Sequence, residues 1–130
     1  MNEPIFLTLD EVLAIHADHI RRYGGVSGIR DLSLLSSAMA MPETTFDGEY
    51  LHGNDFEMAG AYLFHIARNH PFVDGNKRTA LMSALVFLGL NGHRLEAESD
   101  SLYELVDGVA AGSVDKSRVA VFFRDHCEDR

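Results

Sequence analysis

The sequence predicts an all-α protein, with six helices around one central buried helix and a short irregular or hairpin segment. Three observations support this fold class. Apolar residues recur at the three- and four-residue spacing of amphipathic helices along most of the chain. Glycines stand at the ends of these periodic segments, and only three prolines interrupt them. No repeat or low-complexity segment divides the chain, so we expect one domain over residues 1–130.

The first two helices are marked by their caps. Residues 8–11 (TLDE) form a capping box, in which a threonine and a later glutamate bind the first free N–H groups. We expect this helix to continue to the glycine pair 24–25, which stops it. The second helix starts near Asp31, a good N-cap residue. It ends before Pro42, because proline disfavours helix in the residue that precedes it.

Residues 42–54, PETTFDGEYLHGN, show no helical period. The pair Asp47-Gly48 is typical of a tight turn between two short strands. We therefore expect an irregular segment or a small hairpin at this place.

The third and fourth helices flank the most unusual part of the chain. Asp55 can cap the third helix, whose apolar face extends to Ile66. Residues 79–92, TALMSALVFLGLNG, are apolar nearly all round, which is typical of a helix buried on every side. We expect this fourth helix to be the central one, and Asn91 and Gly92 to end it.

Two further helices complete the chain. Apolar residues at helical spacing predict one helix around 102–109, ended by Gly112, and a last helix around 119–123. Cys127 follows, near what we expect to be a frayed C-terminus. A single cysteine excludes an internal disulfide and suits a reducing compartment.

The net charge of −9 excludes some classes of partner. Such a charge repels a phosphate backbone, so we expect no direct binding of nucleic acid. No apolar run approaches the roughly 18 residues of a membrane span, and no export leader is visible. We therefore expect a cytoplasmic protein without a membrane partner. The overall charge does not exclude a small anion held at a local cluster of cations.

One stretch, HPFVDGNKRTA at residues 70–80, combines groups that occur together at phosphate sites. Gly75 and Asn76 precede the apolar helix, where a tight turn can direct several backbone N–H groups to one point. The start of a helix adds partial positive charge, and Lys77 and Arg78 add full charges that oppose it. A helix that tolerates this repulsion is best explained by an anion in front of it, such as a polyphosphate.

Two residues upstream supply the remaining chemistry. A carboxylate beside phosphates is repelled unless a divalent cation bridges them, so we predict that Asp74 holds Mg²⁺. An imidazole can accept a proton from an attacking hydroxyl, and His70 lies at the entrance of the loop. Base, metal ligand, anion nest and cations within nine residues form the set that phosphoryl or nucleotidyl transfer requires. Phe72 is expected to anchor the loop in the core.

Another pair of histidines has the spacing of a candidate metal site. His16 and His19 are three residues apart on one helix face, a spacing that can bind metal. No third ligand is evident in the sequence, and a partly buried pair is the commoner arrangement.

The 70–80 stretch also resembles the Fic motif, His-Pro-Phe-x-Asp/Glu-Gly-Asn-Gly/Lys-Arg. The chain as a whole is similar to the death-on-curing (Doc) toxins of toxin–antitoxin modules. Residues 70–92 carry most of the resemblance, and two earlier segments agree with it, FLTLDEVLAIH at 6–16 and GIRDLSLLSSAMA at 28–40. The resemblance implies a Fic/Doc-type helical bundle that uses ATP and Mg²⁺.

The resemblance also implies a role for each motif residue. His70 would be the base that deprotonates a target hydroxyl, and Asp74 would hold Mg²⁺ on the nucleotide phosphates. Residues Gly75, Asn76 and Lys77 would form the anion nest, and Arg78 would contact phosphate. Segment 44–50 lies where Fic proteins have a flap that docks the target as an added strand.

Two departures from the adenylyl-transferring Fic enzymes favour transfer of phosphate. Those enzymes usually have glycine at the position of Lys77 and a second arginine at the position of Leu81. In Doc-like proteins the nucleotide is reversed, so that the γ-phosphate faces the hydroxyl and the product is a phosphoprotein. The Doc toxin has alanine at the position of Gly75, so that match is incomplete and adenylyl transfer is the alternative.

Partners follow from the same resemblance. The target of Doc toxins is translation elongation factor Tu, whose modification arrests translation and growth. A small antitoxin would neutralise the protein by covering the site. No inhibitory helix of the Ser/Thr-x-x-x-Glu-Gly/Asn type is visible, which favours control by a separate antitoxin. A third hypothesis is a non-enzymatic module that holds a partner peptide in the same groove.

Overall fold

The computed structural model describes residues 3–129 and confirms the all-α fold class with six helices. Two small antiparallel sheets accompany them. The helices are α1 (Leu9–Tyr23), α2 (Leu32–Ala40), α3 (Asp55–Asn69), α4 (Asn76–Leu90), α5 (Ser99–Ala111) and α6 (Lys116–His126). The strands are β1 (Thr45–Phe46), β2 (Glu49–Tyr50), β3 (His93–Leu95) and β4 (Cys127–Asp129).

The caps of α1 and α2 are those that the sequence predicts. The Thr8 hydroxyl accepts a hydrogen bond from the Glu11 N–H at 3.1 Å, and the Glu11 carboxylate accepts one from the Thr8 N–H at 2.7 Å. The Asp31 carboxylate accepts a hydrogen bond from the Leu34 N–H at 3.1 Å. Each interaction satisfies an N–H group that has no acceptor inside the helix.

The cap of α3 differs from the prediction by one residue. Asn54, not Asp55, is the N-cap, and its side-chain oxygen accepts a hydrogen bond from the Glu57 N–H at 2.9 Å. Asp55 is the first helical residue and contacts His93 Nε2 at 2.8 Å. Asparagine and aspartate cap helices equally well, so the sequence alone does not choose between neighbours.

A central buried helix is present, but it is α3 and not the apolar α4. Helix α3 packs against α2, α4, α5 and α6, whereas α4 exposes Met82 and Leu90 to solvent by 47% and 41%. Small residues in α3 allow this close packing. A Cβ at Gly60 would lie 3.4 Å from the backbone of α6. The apolar pattern of α4 predicts that this helix is buried. The pattern contains no information on how closely neighbouring helices approach α3.

The segment between α2 and α3 contains the expected hairpin. Strands β1 and β2 pair antiparallel, with Thr45 opposite Tyr50 and Phe46 opposite Glu49. Asp47 and Gly48 connect them with φ of 55° and 83°. Two successive residues with positive φ are typical of the turns that suit the twist of a hairpin.

The second sheet was not predicted. Strand β3 pairs antiparallel with β4, and Leu95 lies opposite Cys127. Cys127 therefore belongs to a strand and not to a frayed end. Strands of three residues are too short to show a period of two, so the residue pattern does not predict them.

The described residues 3–129 contain no helix that combines the length and apolar character needed to cross a lipid bilayer.

A pH-dependent contribution to stability arises where α3 meets α6. Burial, and then the nearby Lys116 and His52, lower the pKa of His65 from 6.5 to about 4. The unfolded chain therefore binds a proton at His65 at a pH where the folded chain does not. We expect the free energy of unfolding to decrease as the pH falls from 6.5 towards 4. Urea denaturation across this range should show a shallower dependence for His65→Gln, and an unchanged dependence would contradict the assignment.

Candidate functional site

The functional residues proposed from the sequence lie in the loop between α3 and α4, residues 70–75, and in the first turn of α4, residues 76–78. The loop is called here the motif loop. His70 caps the C-terminus of α3 in the left-handed conformation, with φ 53° and ψ 55°. Its N–H donates to the Ile66 carbonyl at 3.1 Å. Its side chain is exposed, and its ring has no hydrogen-bond or ion-pair partner within residues 3–129. The imidazole is therefore accessible to a substrate.

A second segment, residues 26–31, holds the motif loop from outside. The N–H groups of Arg30 and Asp31 both donate to the Pro71 carbonyl, at 2.7 and 3.0 Å. The Val73 N–H donates to the Gly28 carbonyl at 3.1 Å. These backbone bonds fix the path of the loop without any motif side chain.

Arg30 adds a side-chain clamp directly below the candidate base. Its Nε donates to the His70 carbonyl at 2.8 Å, and a terminal nitrogen donates to the Asn69 carbonyl at 3.0 Å. A non-glycine residue in the left-handed region is strained, and persists only where its surroundings hold it. We infer that Arg30 supplies part of this support.

We expect Arg30→Gln to lower the free energy of unfolding by about 1 kcal/mol, because it removes charge-assisted hydrogen bonds at a solvent-exposed position. Any activity that depends on His70 should also fall. Urea denaturation measures the first effect. Arg118→Gln on the exposed face of α6 is the matched control, and equal stability of the two variants would exclude the clamp.

The interior of the motif loop is built on Phe72, which is fully buried as expected. Its N–H donates to the Asn76 side-chain oxygen at 2.9 Å, and its carbonyl accepts from the Asn76 amide at 3.0 Å. The ring of the buried His16 stacks on Phe72, with ring centres 3.8 Å apart. The His16 Nε2 lies 2.8 Å from the Asp74 carbonyl. The Asn76 side chain thus closes the loop, and only its backbone N–H is left to face an anion.

The start of α4 is open. Gly75 is the N-cap with φ 77°, and no side chain caps the helix. The N–H groups of residues 76–78 have no acceptor inside the helix and carry its partial positive charge. A Cβ at Gly75 would lie 2.7 Å from the ring of His19, so the turn is packed against α1.

The Asp74 carboxylate is held in place by two backbone groups. One oxygen accepts from the Val26 N–H at 3.1 Å, and the other accepts from the Gly75 N–H at 2.9 Å. These hydrogen bonds lower the pKa of Asp74, so the group is ionised at neutral pH. Gly25, with φ 114°, permits this approach, because a Cβ there would lie 2.7 Å from the same carboxylate.

The two cations of the motif point to different neighbours. The Lys77 ammonium contacts the Asp107 carboxylate of α5 at 2.9 Å. The Arg78 guanidinium lies over the Tyr23 ring at 4.5 Å and near the Tyr103 ring at 5.0 Å. Aromatic rings near a guanidinium restrain it while its N–H donors, which lie in the plane of the guanidinium, stay available.

His70, Asp74 and the start of α4 surround one cavity of about 270 Å³. A second cavity, of about 550 Å³, lies between α1 and α4 and shares His19 and Arg78 with the first. Burial, and then the charge of Arg78, lower the pKa of His19, so its ring is neutral at neutral pH. The first cavity therefore combines an exposed imidazole, an ionised carboxylate, free backbone donors and cations. The residues that line it are His19, His70, Val73, Asp74, Gly75, Asn76, Lys77 and Arg78.

This arrangement can stabilise an anion and move a proton. Helix N–H groups and Arg78 attract phosphate oxygens. The carboxylate of Asp74 is the oxygen ligand that Mg²⁺ prefers beside phosphates. Sequence reasoning missed the contributions of His19 and the two tyrosines, since only the fold brings them to the motif.

Comparison with known proteins agrees with the motif. The model of the Fic/DOC family matches residues 6–88, which include α1 to most of α4 and the whole motif loop. The chain is 38% identical over 111 residues to "Protein kinase doc" of Escherichia phage P1, covering 85% of this chain and 86% of that protein. It is 39% identical over 100 residues to "Toxin Doc" of Mycolicibacterium smegmatis, covering 75% of this chain and 77% of that protein.

Proposed function

Because this chain belongs to the Fic/DOC family, we propose that it is a toxin that transfers the γ-phosphate of ATP to a serine or threonine hydroxyl of another protein. The observation that supports this activity is the shared cavity of His70, Asp74 and the uncapped start of α4. Transfer of phosphate depends mainly on positioning and on stabilisation of charge, and these groups supply both.

His70 acts as the general base. Its exposed ring lies at the mouth of the cavity and is free to accept the proton of an incoming hydroxyl. The left-handed backbone conformation of His70 and the hydrogen bond from Arg30 to its carbonyl fix the position of the backbone that carries the ring. The exposed position suits a hydroxyl that belongs to a second protein.

Asp74 and Arg78 hold the nucleotide phosphates. The ionised carboxylate of Asp74 fits Mg²⁺, and that ion would neutralise charge on the β- and γ-phosphates when bound. Arg78 and the N–H groups of residues 76–78 contact phosphate oxygens directly. Lys77 adds its backbone N–H, and its side chain raises the local potential even while paired with Asp107.

Position 81 favours phosphate over adenylyl transfer. Leu81 is only 7% exposed and presents no donor to a terminal phosphate. A triphosphate that is bound only near residues 75–78 lacks the second cation at position 81 that would hold its terminal phosphate. Placement of the α-phosphate at His70 is therefore less favoured. Adenylyl transfer is the second candidate, because Gly75 matches the nest of enzymes with that activity.

The hairpin β1–β2 is the surface on which we expect the target to dock. Its strands form a sheet of only two, so an edge is available to a third strand. Phe46 at the turn is 77% exposed. By family resemblance the target is elongation factor Tu, and its modification would arrest translation.

A protein antitoxin would cover the second cavity. That cavity is lined by apolar side chains of α1 and α4 together with charged residues, and it shares Arg78 with the phosphate site, so an occupant would block that site. Tyr23 and Met82 beside it are 65% and 47% exposed, which suits burial by a partner.

Labelled ATP distinguishes the candidate reactions. Incubation of a cell lysate with the protein, Mg²⁺ and γ-labelled ATP should label one protein, whereas α-labelled ATP should not. Label from the α-position would establish adenylyl transfer and overturn the kinase assignment. Absence of both labels would favour a non-enzymatic module.

A further inference from the structure

A third cavity, of about 330 Å³, lies between the start of α3 and α6 and shares no lining residue with the two cavities at the motif loop. Two cations of α6, Lys116 and Arg124, line it. The buried His52 also lines it, and the Nδ1 atom of this residue has no hydrogen-bond partner among residues 3–129. A buried polar atom without a partner points to a missing polar group nearby.

Lys116 has an unusual partner for a cation in so acidic a chain. Its Nζ lies 3.2 Å from Nε2 of His65, whose lowered pKa keeps the ring neutral. Among the described residues, no carboxylate lies within ion-pair distance of this ammonium. Partial burial lowers the pKa of Lys116.

The chain provides its own comparison, because Lys77 is the only other lysine. The ammonium of Lys77 contacts the Asp107 carboxylate at 2.9 Å, and both side chains are more than half exposed. A partly desolvated amine without an anionic partner is the more nucleophilic type of lysine. The two lysines therefore stand in opposite environments.

The cavity also suits an anionic reagent. The Arg124 guanidinium lines the cavity, and among residues 3–129 its one ion pair is with its neighbour Asp125, at 3.4 Å. A guanidinium has five N–H donors, so this pair leaves several of them unused. Glu57 at the rim is occupied by hydrogen bonds from Asn54 and Gly53, at 2.8 and 3.4 Å. An acyl phosphate could place its phosphate at Arg124 and its carbonyl carbon towards Lys116.

We propose that Lys116 is an acyl-acceptor lysine, modified by small acyl phosphates that bind in this cavity. The unprotonated amine attacks the carbonyl carbon and forms a C–N bond, while the C–O bond to phosphate breaks. Phosphate leaves with the electron pair, and the extra proton on nitrogen passes to solvent. This inference does not depend on the proposed kinase activity.

Reaction of the intact protein with acetyl phosphate tests the proposal, with the two lysines followed by peptide mass spectrometry. We expect Lys116 to be acetylated about ten times faster than Lys77. His65→Glu should reduce this ratio to about one, because a carboxylate holds the ammonium form. Far-UV circular dichroism checks that this variant is folded. Equal rates at the two lysines in the parent protein would overturn the proposal, as would faster reaction of Lys77.

Arg124→Gln tests the part of the site that binds the anion. The Arg124 side chain is exposed, so the substitution should leave the fold intact. This change should slow acetylation of Lys116 by acetyl phosphate but not by acetic anhydride, which carries no charge. An equal effect on both reagents, or no effect on either, would overturn the assignment to acyl phosphates.

Discussion

Replacement of His70 by alanine should reduce transfer of phosphate at least about 100-fold, because it removes the group that accepts the proton of the attacking hydroxyl. The ring is exposed and has no partner among residues 3–129, so the fold should survive its loss. Initial rates with labelled ATP measure the first effect, and the thermal midpoint measures the second. Growth arrest in cells that express the protein should disappear with the activity.

His126→Ala is the matched control for this experiment. His126 lies at the end of α6 and lines neither cavity at the motif loop. We expect this variant to keep the parental rate. Should His70→Ala leave growth arrest intact, both enzymatic interpretations of the site would fail.

The largest effect on stability should come from Phe72→Ala. The ring is 0% exposed and stacks on His16, so its removal leaves a cavity below the motif loop. Loss of a buried phenylalanine typically lowers the free energy of unfolding by about 3–5 kcal/mol. The activity should fall with it, because the Phe72 backbone is also bonded to Asn76 at the start of α4.

Phe46→Ala is the matched control, because it removes the same type of side chain from the hairpin. Phe46 is 77% exposed, so we expect a change within about 0.5 kcal/mol. Urea denaturation of the two variants under the same conditions makes the comparison. A loss for Phe72→Ala that is no larger than that for Phe46→Ala would show that the loop is not anchored through this ring.

Local signals were sufficient for the helices. The capping box at residues 8–11, the Asp31 cap and the glycine at 112 each act within one turn of chain, and the structure has the helix ends that they predict. The Asp47-Gly48 turn is local in the same way. The central position of α3 is not, since it depends on how closely α6 approaches Gly60. Nor is the pairing of Leu95 with Cys127, which are distant in the chain.

The site also has features that local sequence predicts and features that depend on contacts distant in the chain. His70, Asp74 and Gly75 share a cavity because they are neighbours in the chain, and spacing alone suggested it. The Arg30 clamp depends on contact with a segment about 40 residues away, which no pattern within the motif encodes. The direction of the Lys77 side chain depends on Asp107 in another helix. Residue types predict which chemistry is present, whereas the orientation of each side chain requires the fold.

The most direct measurement of the central claim is the intact mass of purified elongation factor Tu after incubation with this protein, ATP and Mg²⁺. If His70, Asp74 and the start of α4 form a phosphate-transfer site, the mass should increase by one phosphate group, and not in a parallel reaction with His70→Ala. An increase by one AMP group, or no change in mass, would contradict the account.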